Sequence, residues 1–391
     1  MHIFNVCIFC KFVKLTTLLM YKTNSDRNTP WNDLPELPID IDLYYTIEIL
    51  EQLVEAKAAL AKLQGRSVAI PNQGILINTL SLQEAKASSA IENIFTTDDE
   101  LYRAYSMDKT DSIEGAPKEI LRYREALWTG MKYINEKDHF DQEYCIRIYQ
   151  EIKQTSDKIR PPVAQIVIRQ GGSGPNVGRV IYTPPRGKGI VEKKLNNLLN
   201  FMNDDDVFKV DPILKMAIGH FQFEAIHPFR DGNGRTGRVF NIHYLTKKGL
   251  LDLPILFLSR YIIENKDEYY RRLSAVSQKG DWKNWILYML NAIKNTSIIT
   301  YNKINDILSA KDAILSAIES DTDIIRPEQI IELIFTQPYT KVKHFTYKRI
   351  YAENTARNYL NMLSDMGILG KKVIQGHHYY LNLELIRILS E

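Results

Sequence analysis

The segment His227-Pro-Phe-Arg-Asp-Gly-Asn-Gly-Arg-Thr-Gly-Arg238 joins two helical patterns and carries most of the candidate chemistry of this chain. Pro228 disfavours helix in the residue before it, so the preceding helix is expected to end near His227. Asp231-Gly-Asn-Gly234 then predicts a tight loop before the next helix, because glycine tolerates positive φ and lets the backbone approach a ligand closely. Exposed amides in such a loop, followed by a helix N-terminus, form a nest that binds anions.

The charged side chains of the segment indicate which anion is expected. Arg235 and Arg238 are predicted on the first turn of the second helix. A cation there is repelled by the positive end of the helix dipole, which costs roughly 0.3–1 kcal/mol for each residue. Phosphate suits this place, because it accepts hydrogen bonds from amides and from guanidinium groups. Asp231 would repel phosphate unless a cation bridged them, and Mg²⁺ held by one carboxylate and phosphate oxygens would do so. His227 is a candidate general base for an incoming hydroxyl.

The whole segment matches the signature H-x-F-x-D/E-G-N-G-R-x-x-R of the Fic family at every constrained position. The chain resembles this family over about residues 30–300. The resemblance implies a mainly α fold, in which a helical core carries a β-hairpin flap. It also implies a protein adenylyltransferase, which transfers AMP from ATP to a Ser, Thr or Tyr hydroxyl of a target protein and releases pyrophosphate.

The family resemblance also implies roles for single residues. His227 would deprotonate the target hydroxyl, and Asp231 would bind Mg²⁺, with ATP as the AMP donor. Gly232–Gly234 would hold the α- and β-phosphates, Arg235 would contact the β-phosphate and Arg238 the γ-phosphate. The residues expected to bind ATP are Gly232, Asn233, Gly234, Arg235, Thr236, Gly237, Arg238, Tyr269 and Tyr270. For the two tyrosines, the alternative is that they are core aromatics.

A second motif, Ser88-Ser-Ala-Ile-Glu92-Asn93, resembles the autoinhibitory motif S/T-x-x-x-E-G/N of the family. Glu92 is expected at the C-terminal end of its helix, where a carboxylate meets the negative end of the helix dipole. A cationic partner would offset that repulsion, and the resemblance implies that the partner is Arg238. The pair would hold Arg238 away from the γ-phosphate and so inhibit transfer. A surface glutamate at a frayed helix end is the alternative.

Two β-like runs, Gln165–Arg169 and Arg179–Thr183, flank the glycine-rich stretch 171–176 and predict a hairpin with a flexible tip. The Fic family uses such a flap to align a target segment by strand addition. We therefore expect a target protein to dock at about residues 165–185. A purely structural edge hairpin is compatible with the same pattern.

Apolar residues at helical spacing predict helices along the rest of the catalytic region. Asp211 and Pro212 predict the N-cap and the first residue of the helix before the motif. Ser81 and Glu84 have the spacing of a capping box, which predicts a helix from Ser81 to about Asn93. The expected helical ranges are 42–63, 81–93, 117–135, 141–153, 190–203, 211–227, 236–248 and 260–295.

Residues 325–391 show three short helical patterns and then a hairpin that turns at Gln375-Gly376, which predicts a winged-helix domain. Its recognition helix would run from Glu353 to Leu360, with Arg357 and Asn358 facing outward. DNA binding is therefore open, because phosphates attract such basic faces. The interpretation we favour is a module that docks a protein or stabilises a homodimer.

The composition is that of a globular protein, with 45% hydrophobic residues and a formal net charge of only +3. Three cysteines are too few for a disulfide scaffold, so we expect a cytoplasmic location. Lysines interrupt the apolar residues 1–20, which therefore predict neither a signal peptide nor a membrane span, and we hypothesise that translation starts at Met20. The expected domains are a doubtful extension (1–20), an N-terminal helical region with the inhibitory helix (21–110), a Fic catalytic core (111–300) and the winged-helix domain (325–391).

Two other functions stay open beside AMP transfer. The first is a DNA-binding regulator whose Fic domain only senses a nucleotide. The intact His227 argues against it, because a sensor needs no general base. The second is a Fic enzyme that removes AMP, in which Glu92 positions a water molecule.

Overall fold

The computed structural model describes residues 21–24, 26–68, 73–107, 113–171, 177–374 and 376–391. The expectations for residues 1–20, for the hairpin tip at 172–176 and for a turn at Gln375 lie outside these residues. The described residues form a mainly helical protein with two small antiparallel sheets, as the sequence predicts. Within the same ranges, no helix combines the length and the apolar character that a membrane span requires.

The elements before the motif are a 3-10 turn (Ile41–Leu43), α1 (Ile47–Val68), α2 (Gln73–Ile91), α3 (Asp98–Tyr105), α4 (Gly115–Lys137), α5 (Gln142–Lys153), β1 (Ile168–Arg169), β2 (Val180–Tyr182), α6 (Ile190–Asn203) and α7 (Pro212–Ile226). The motif leads into α8 (Asn233–Lys247), α9 (Leu258–Glu264), α10 (Lys266–Lys279) and α11 (Trp282–Asp321). The C-terminal part consists of α12 (Pro327–Thr336), β3 (Tyr339–Thr340), α13 (Val342–Tyr347), α14 (Glu353–Asp365), β4 (Leu369–Ile374), β5 (His377–Asn382) and α15 (Leu383–Ser390).

Helices α7 and α8 form the centre of the fold. Nearly all of their residues are buried, as expected for helices that lack a polar face. Asp211 caps α7 as predicted, and its carboxylate accepts a hydrogen bond from the Ile213 amide at 2.9 Å. The motif loop therefore leaves one buried helix and enters another, which fixes its position in the core.

The start of α8 differs from the prediction. Gly232 takes a φ of 73° and is the N-cap, so the helix begins at Asn233 and not at Thr236. Positive φ costs glycine little, which lets the chain enter the helix directly after Gly232. Arg235 stays on the first turn of α8, but Arg238 lies on the second turn, so the expectation that both arginines share the first turn is wrong for Arg238.

The capping box predicted at Ser81 is also wrong. Helix α2 begins at Gln73, and both Ser81 and Glu84 lie inside it. The Ser81 hydroxyl donates a hydrogen bond to the Ile77 carbonyl, and Glu84 is only 1% exposed. Apolar residues before Ser81 pack in the core and extend the helix toward its N-terminus, which outweighs the local capping signal.

The predicted flap is present as an antiparallel hairpin of β1 and β2, with Ile168 opposite Tyr182. Both strands are shorter than the β-like runs that predicted them. The Tyr182 hydroxyl donates to the Ala225 carbonyl of α7 at 2.7 Å, which anchors the flap to the central helix. The Trp31 amide donates to the Thr183 carbonyl at 3.0 Å, so the proline-rich segment before α1 runs along the base of the flap.

Helix α11 is 40 residues long and packs along α1. Lys294 of α11 pairs with Glu55 of α1 at 2.6 Å on the exposed side of this contact. The helical range predicted at 260–295 divides into three helices, and Gly280 with a φ of 66° ends α10 before α11 begins. Because α11 continues through residue 300, the predicted end of the catalytic core falls inside a helix.

The C-terminal part has the order helix, strand, helix, helix and hairpin, and its strands lie in the order β3-β5-β4. This is the arrangement of the predicted winged helix. The helices of the module pack on α2 and α11. The Tyr339 hydroxyl donates to the Asp99 carboxylate of α3 at 2.5 Å, and the Lys372 ammonium of β4 pairs with the same carboxylate at 2.6 Å.

Candidate active site

A cavity of about 280 Å³ lies between α7, α8, α10, the flap and the end of α2. It brings together most of the site residues that the sequence predicted, although they come from three separate parts of the chain. The cavity is lined by Glu92, Ile168, Ile181, Tyr182, Phe221, Glu224, Ala225, His227, Asp231, Gly232, Asn233, Gly234, Arg238, Tyr269, Tyr270, Leu273, Ser274 and Ser277.

The motif loop is closed by Asn233. Its side-chain amide donates to the Phe229 carbonyl at 2.9 Å and accepts from the Phe229 amide at 2.8 Å. The Phe229 ring in turn stacks on Tyr149 of α5, with 4.2 Å between the ring centroids. The Asn233 side chain therefore holds the loop in shape, and only its backbone remains to contact an anion at the start of α8.

His227 follows α7 in the left-handed region, with a φ of 52°. Arg160 fixes this turn, because its Nε donates to the His227 carbonyl at 2.7 Å and its Nη2 donates to the Ile226 carbonyl at 3.2 Å. Burial lowers the pKa of His227 to about 4, and the charge of Arg160 acts in the same direction. The imidazole is therefore neutral at neutral pH and can accept a proton.

Asp231 lies beside the start of α8, where its Oδ1 accepts from the Gly232 amide at 2.7 Å. Its Oδ2 pairs with the Lys153 ammonium at 2.6 Å. Partial burial acts to raise the pKa of Asp231, but the hydrogen bond and charge of Lys153 outweigh it and lower the pKa. The carboxylate is thus charged and lies at the positive end of a helix.

The donor set at Asp231 fits Mg²⁺. This ion needs only one or two protein carboxylates when phosphates and water supply the remaining oxygens. The Asp231 side chain is 69% exposed and lines the cavity. Within the described part of the chain, no group of three or more His, Cys, Asp or Glu could hold a metal ion by itself. Asp231 would therefore hold the ion as a single protein ligand.

Arg238 is buried, and its guanidinium binds the end of α2. Its Nη2 donates to Glu92 Oε1 at 2.8 Å and to the Ser88 carbonyl at 3.0 Å, and its Nε donates to Ser88 Oγ at 2.8 Å. Burial acts to lower the pKa of Arg238, but the Glu92 carboxylate more than offsets it, and the pKa is raised. The two residues that the motifs suggested as partners are thus in direct contact.

Glu92 also lies against the first turn of α8. A Cβ atom at Gly234 would lie 2.4 Å from Glu92 Oε1, so only glycine leaves room for the carboxylate here. The Glu92 carboxylate follows the C-terminus of α2, where the dipole repels it, and reaches the N-terminus of α8, where the dipole attracts it. It therefore occupies part of the anion nest that the motif predicted.

Arg235, Thr236 and Gly237 do not line the cavity in the described structure. Arg235 is buried and donates from Nη1 to Glu119 Oε2 of α4 at 3.1 Å. The Thr236 hydroxyl donates to the Gly232 carbonyl at 2.9 Å, within the helix start. The side chains of Arg235 and Thr236 thus stabilise α8 in this structure, and their predicted contacts with ATP stay predictions.

Tyr269 and Tyr270 of α10 both line the cavity. Tyr269 is 1% exposed, and its hydroxyl lies 2.9 Å from His220 Nε2 of α7. Burial lowers the pKa of His220 to about 3, so this imidazole is neutral. Tyr270 is 38% exposed. Tyr269 is therefore a core aromatic as well as a wall residue, whereas Tyr270 is open to the cavity and to solvent.

Several residues at the site were missed by the sequence interpretation: Glu84, Lys153, Arg160 and Glu224. Glu224 lies one helical turn before His227, so the helical spacing on α7 could have identified it. Arg160 and Lys153 are far from the motif in sequence and belong to no motif, so no sequence signal connects them with it. Glu84 was misassigned because its spacing from Ser81 imitates a helix cap.

Three consecutive segments of the chain match known protein families. Residues 50–132 match the Fic/DOC family N-terminal region, and residues 139–245 match the Fic/DOC family. The chain therefore contains a region similar to the Fic/DOC N-terminal region and a region similar to the Fic/DOC domain. Residues 311–385 match the C-terminal domain of SoFic-like protein adenylyltransferases. The three matching regions follow one another along the chain in this order.

Similar proteins of known name are adenylyltransferases. Protein adenylyltransferase fic-1 of Caenorhabditis elegans is 33% identical over 113 residues, which is 29% of this chain and 20% of that protein. Protein adenylyltransferase Fic of Aedes aegypti is 26% identical over 229 residues, which is 57% of this chain and 39% of that protein. The matches thus span less than half the length of these relatives.

Solved structures show the same fold. A Fic family protein from Desulfovibrio desulfuricans G20 is 19% identical, with a TM-score of 0.54 over 86% of this chain and 97% of that chain. A Fic domain containing signaling protein from Bacteroides thetaiotaomicron is 13% identical, with a TM-score of 0.51 over 65% of this chain and 97% of that chain. At these identities the similarity concerns the fold.

Proposed function

We propose that this protein transfers AMP from ATP to a Ser, Thr or Tyr hydroxyl of a target protein and releases pyrophosphate. One observation carries the proposal: the neutral imidazole of His227, the carboxylate of Asp231 and the amide end of α8 line one cavity. The imidazole can act as the base, the carboxylate suits Mg²⁺, and the amides suit phosphate. The named relatives support the same reaction.

In the proposed reaction, the target hydroxyl approaches the α-phosphorus and His227 accepts its proton. The oxygen–phosphorus bond to the target forms while the bond from the α-phosphorus to the bridging oxygen breaks, and pyrophosphate leaves. Mg²⁺, when bound at Asp231, neutralises phosphate charge and orients the triphosphate. The amides of Gly234 and its neighbours hold phosphate oxygens, so catalysis rests on positioning and charge neutralisation.

We further propose that Glu92 inhibits this reaction. Its carboxylate contacts Arg238 and lies over Gly234, where phosphate oxygens of ATP would otherwise lie. While the pair persists, Arg238 is not free to bind the γ-phosphate, and the triphosphate cannot take the reactive position. Glu92 and the triphosphate thus compete for the same two groups.

The flap is the proposed docking place for the target. Strands β1 and β2 form only a two-stranded ribbon in the described structure, so a segment of a target can add to a free edge. Ile168, Ile181 and Tyr182 line the cavity from the flap, which would bring such a segment next to His227. The pairing is through the backbone, so it selects an extended segment and not a particular sequence.

The proposal is tested by following the α- and the γ-phosphorus of ATP separately. Glu92→Gly protein is incubated with Mg²⁺ and with ATP labelled at either the α- or the γ-phosphorus, alone and with a cell extract. We expect α-label in protein, at a rate roughly tenfold or more above that of the unchanged protein. We expect no transfer of γ-label, which leaves with pyrophosphate.

Two controls make the result decisive. Glu92→Gly/His227→Ala protein should lose the α-label, while Glu55→Gly, a change at an exposed ion pair of α1, should behave as the unchanged protein. Protein labelled from γ-labelled ATP would replace the proposal with a kinase. Release of AMP from previously modified protein by the unchanged enzyme, without any forward transfer, would replace it with AMP removal.

A further inference from the structure

The carboxylate of Glu224 lies in the wall of the cavity and has no role in the reaction described above. It belongs to α7, one turn before His227. Its Oε1 is buried and has no hydrogen-bond partner in the described part of the chain. Burial raises the pKa of Glu224 to about 7, although the charge of Arg238 acts to lower it. Such a carboxylate carries a desolvation cost that the charge of Arg238 offsets only in part.

The surroundings of Glu224 leave space for this carboxylate. On α8, a Cβ atom at Gly237 would lie 2.9 Å from Glu224 Oε1. Phe221 and Ala225, its neighbours on α7, line the same cavity and offer no polar group from their side chains. Gly237 thus leaves room for Glu224 Oε1, which accepts no hydrogen bond among the described residues. This arrangement is expected where a ligand supplies the donor.

The spacing of Glu224 from His227 indicates which part of the nucleotide could supply the donor. Phosphates carry no donors at neutral pH, so the part of the nucleotide beside Glu224 is its nucleoside. Residues one turn apart on a helix have Cβ atoms about 5–6 Å apart. Glu224 is therefore close to His227, and His227 must lie beside the α-phosphate. The group joined directly to the α-phosphate is the ribose, and the base is one sugar further away.

We propose that Glu224 is a specificity-determining residue, which accepts hydrogen bonds from the ribose hydroxyls of the bound nucleotide. The inference rests on the proposed function, because it takes ATP as the ligand of the cavity. Carboxylates that accept from a ribose hydroxyl are a common solution to this recognition problem. The cavity then selects a ribonucleotide over a deoxyribonucleotide by a carboxylate whose buried Oε1 has no hydrogen-bond partner among the described residues.

The test compares nucleotides that differ only in a ribose hydroxyl. ATP, 2′-deoxy-ATP and 3′-deoxy-ATP are titrated with Mg²⁺ into His227→Ala protein by calorimetry, since this background prevents turnover. The same titrations use Glu224→Met, which keeps the length and removes both acceptors, and Glu224→Gln, which keeps one. Glu143→Gln, at an exposed pair on α5, is the matched control.

We expect His227→Ala protein, with or without the Glu143→Gln control change, to bind ATP about tenfold more tightly than at least one deoxy analogue. Glu224→Met should bind all three nucleotides with affinities within about twofold of one another. The preference of Glu224→Gln for ATP should lie between that of the control and that of Glu224→Met. The thermal midpoint of Glu224→Met should not fall, because the carboxylate has no partner in the protein to lose.

Three results would overturn the inference. The first is an equal preference for ribose in Glu224→Met and in the control. The second is a control that does not distinguish ATP from either deoxy analogue while it binds all three. The third, a control that binds none of the nucleotides, would overturn the inference together with the proposed function, and is thus distinguishable from the other two.

Discussion

Glu92 and Arg238 lie 146 residues apart in the chain, yet they form an ion pair of 2.8 Å at the edge of the cavity. The arginine is buried, so removing its partner without replacement would leave an unpaired buried charge, at a cost of about 3–5 kcal/mol. A phosphate that enters as the carboxylate leaves avoids most of this cost. In the proposed switch, the pair would therefore be stable without nucleotide and would exchange when nucleotide binds.

The first prediction at the scale of single residues concerns the titration of His227. Burial holds its pKa near 4, so the imidazole should stay neutral as the pH falls through the usual histidine range. In proton NMR spectra of isotope-labelled protein, the His227 resonance, assigned by its loss in His227→Ala, should not move between about pH 8 and about pH 5. A midpoint near the ordinary value of about 6.5 would contradict the buried geometry.

The sequence predicted which side chains of the site lie together better than it predicted where α8 begins. His227, Asp231 and Arg238 all line the cavity, whereas Arg235 lies outside it and pairs with Glu119. The placement of Arg238 on the first turn of α8 was wrong, because the early start of this helix could not be read from the sequence alone. The roles of these residues in binding and catalysis stay predictions.

At the scale of elements, α2 carries the proposed inhibitory residue Glu92 just after its end and is deeply anchored in the core. Glu84 near its middle accepts hydrogen bonds from the Tyr123 hydroxyl of α4 at 3.0 Å and from the Ser259 amide and Oγ of α9 at 3.0 Å and 2.5 Å. Burial raises the pKa of Glu84 to about 7, against these hydrogen bonds. The anchor fixes the helix so that Glu92 at its end meets Arg238.

Removing the anchor should destabilise the protein. Glu84→Ala leaves the buried donors of Tyr123 and Ser259 without an acceptor, at about 1–3 kcal/mol for each group. We expect a loss of about 2–4 kcal/mol in the free energy of unfolding by urea, and a smaller loss for Glu84→Gln, which keeps an acceptor. Glu55→Ala, at an exposed pair on α1, should change it by no more than about 0.5 kcal/mol. An equal loss in Glu84→Ala and Glu55→Ala would contradict the anchor.

The elements that the sequence predicted well are those with strong local signals. Asp211-Pro212 set the start of α7, and the two β-like runs set the flap. The failures lie where distant contacts decide. Packing in the core extends α2 from Ser81 toward its N-terminus at Gln73, and contact with α1 extends α11 past residue 300. Neither effect has a local signal in the sequence.

At the scale of the molecule, the C-terminal module contacts not only α2 and α11 but also α3, the helix that follows α2. Asp99 of α3 accepts from Tyr339 and pairs with Lys372, and both partners belong to the module. A second connection is buried, where the Lys303 ammonium of α11 donates to the Ile388 carbonyl of α15 at 2.5 Å. The module therefore lies directly against the part of the catalytic region that contains α2 and α3.

Two adjacent lysines of β4 allow a matched test of this docking. Lys372 reaches Asp99, whereas Lys371 bonds to Asn361 within the module at 2.9 Å. In hydrogen exchange followed by mass spectrometry, Lys372→Ala/Tyr339→Phe should raise exchange in residues 98–105, because their contacts with the module are lost. Lys371→Ala/Tyr339→Phe retains the ion pair and should change this segment less. Equal exchange in the two double variants would contradict a role for the ion pair.

The competition between Glu92 and the γ-phosphate for Arg238 is tested most directly by the ratio of ATP to ADP affinity. Calorimetry in a His227→Ala background, with Mg²⁺, compares otherwise unchanged protein with protein that also carries Glu92→Gly or Arg238→Ala. Freeing Arg238 should raise the preference for ATP over ADP by about tenfold in Glu92→Gly, and Arg238→Ala should remove that preference. An ATP to ADP ratio that is the same with and without Glu92 would contradict the switch.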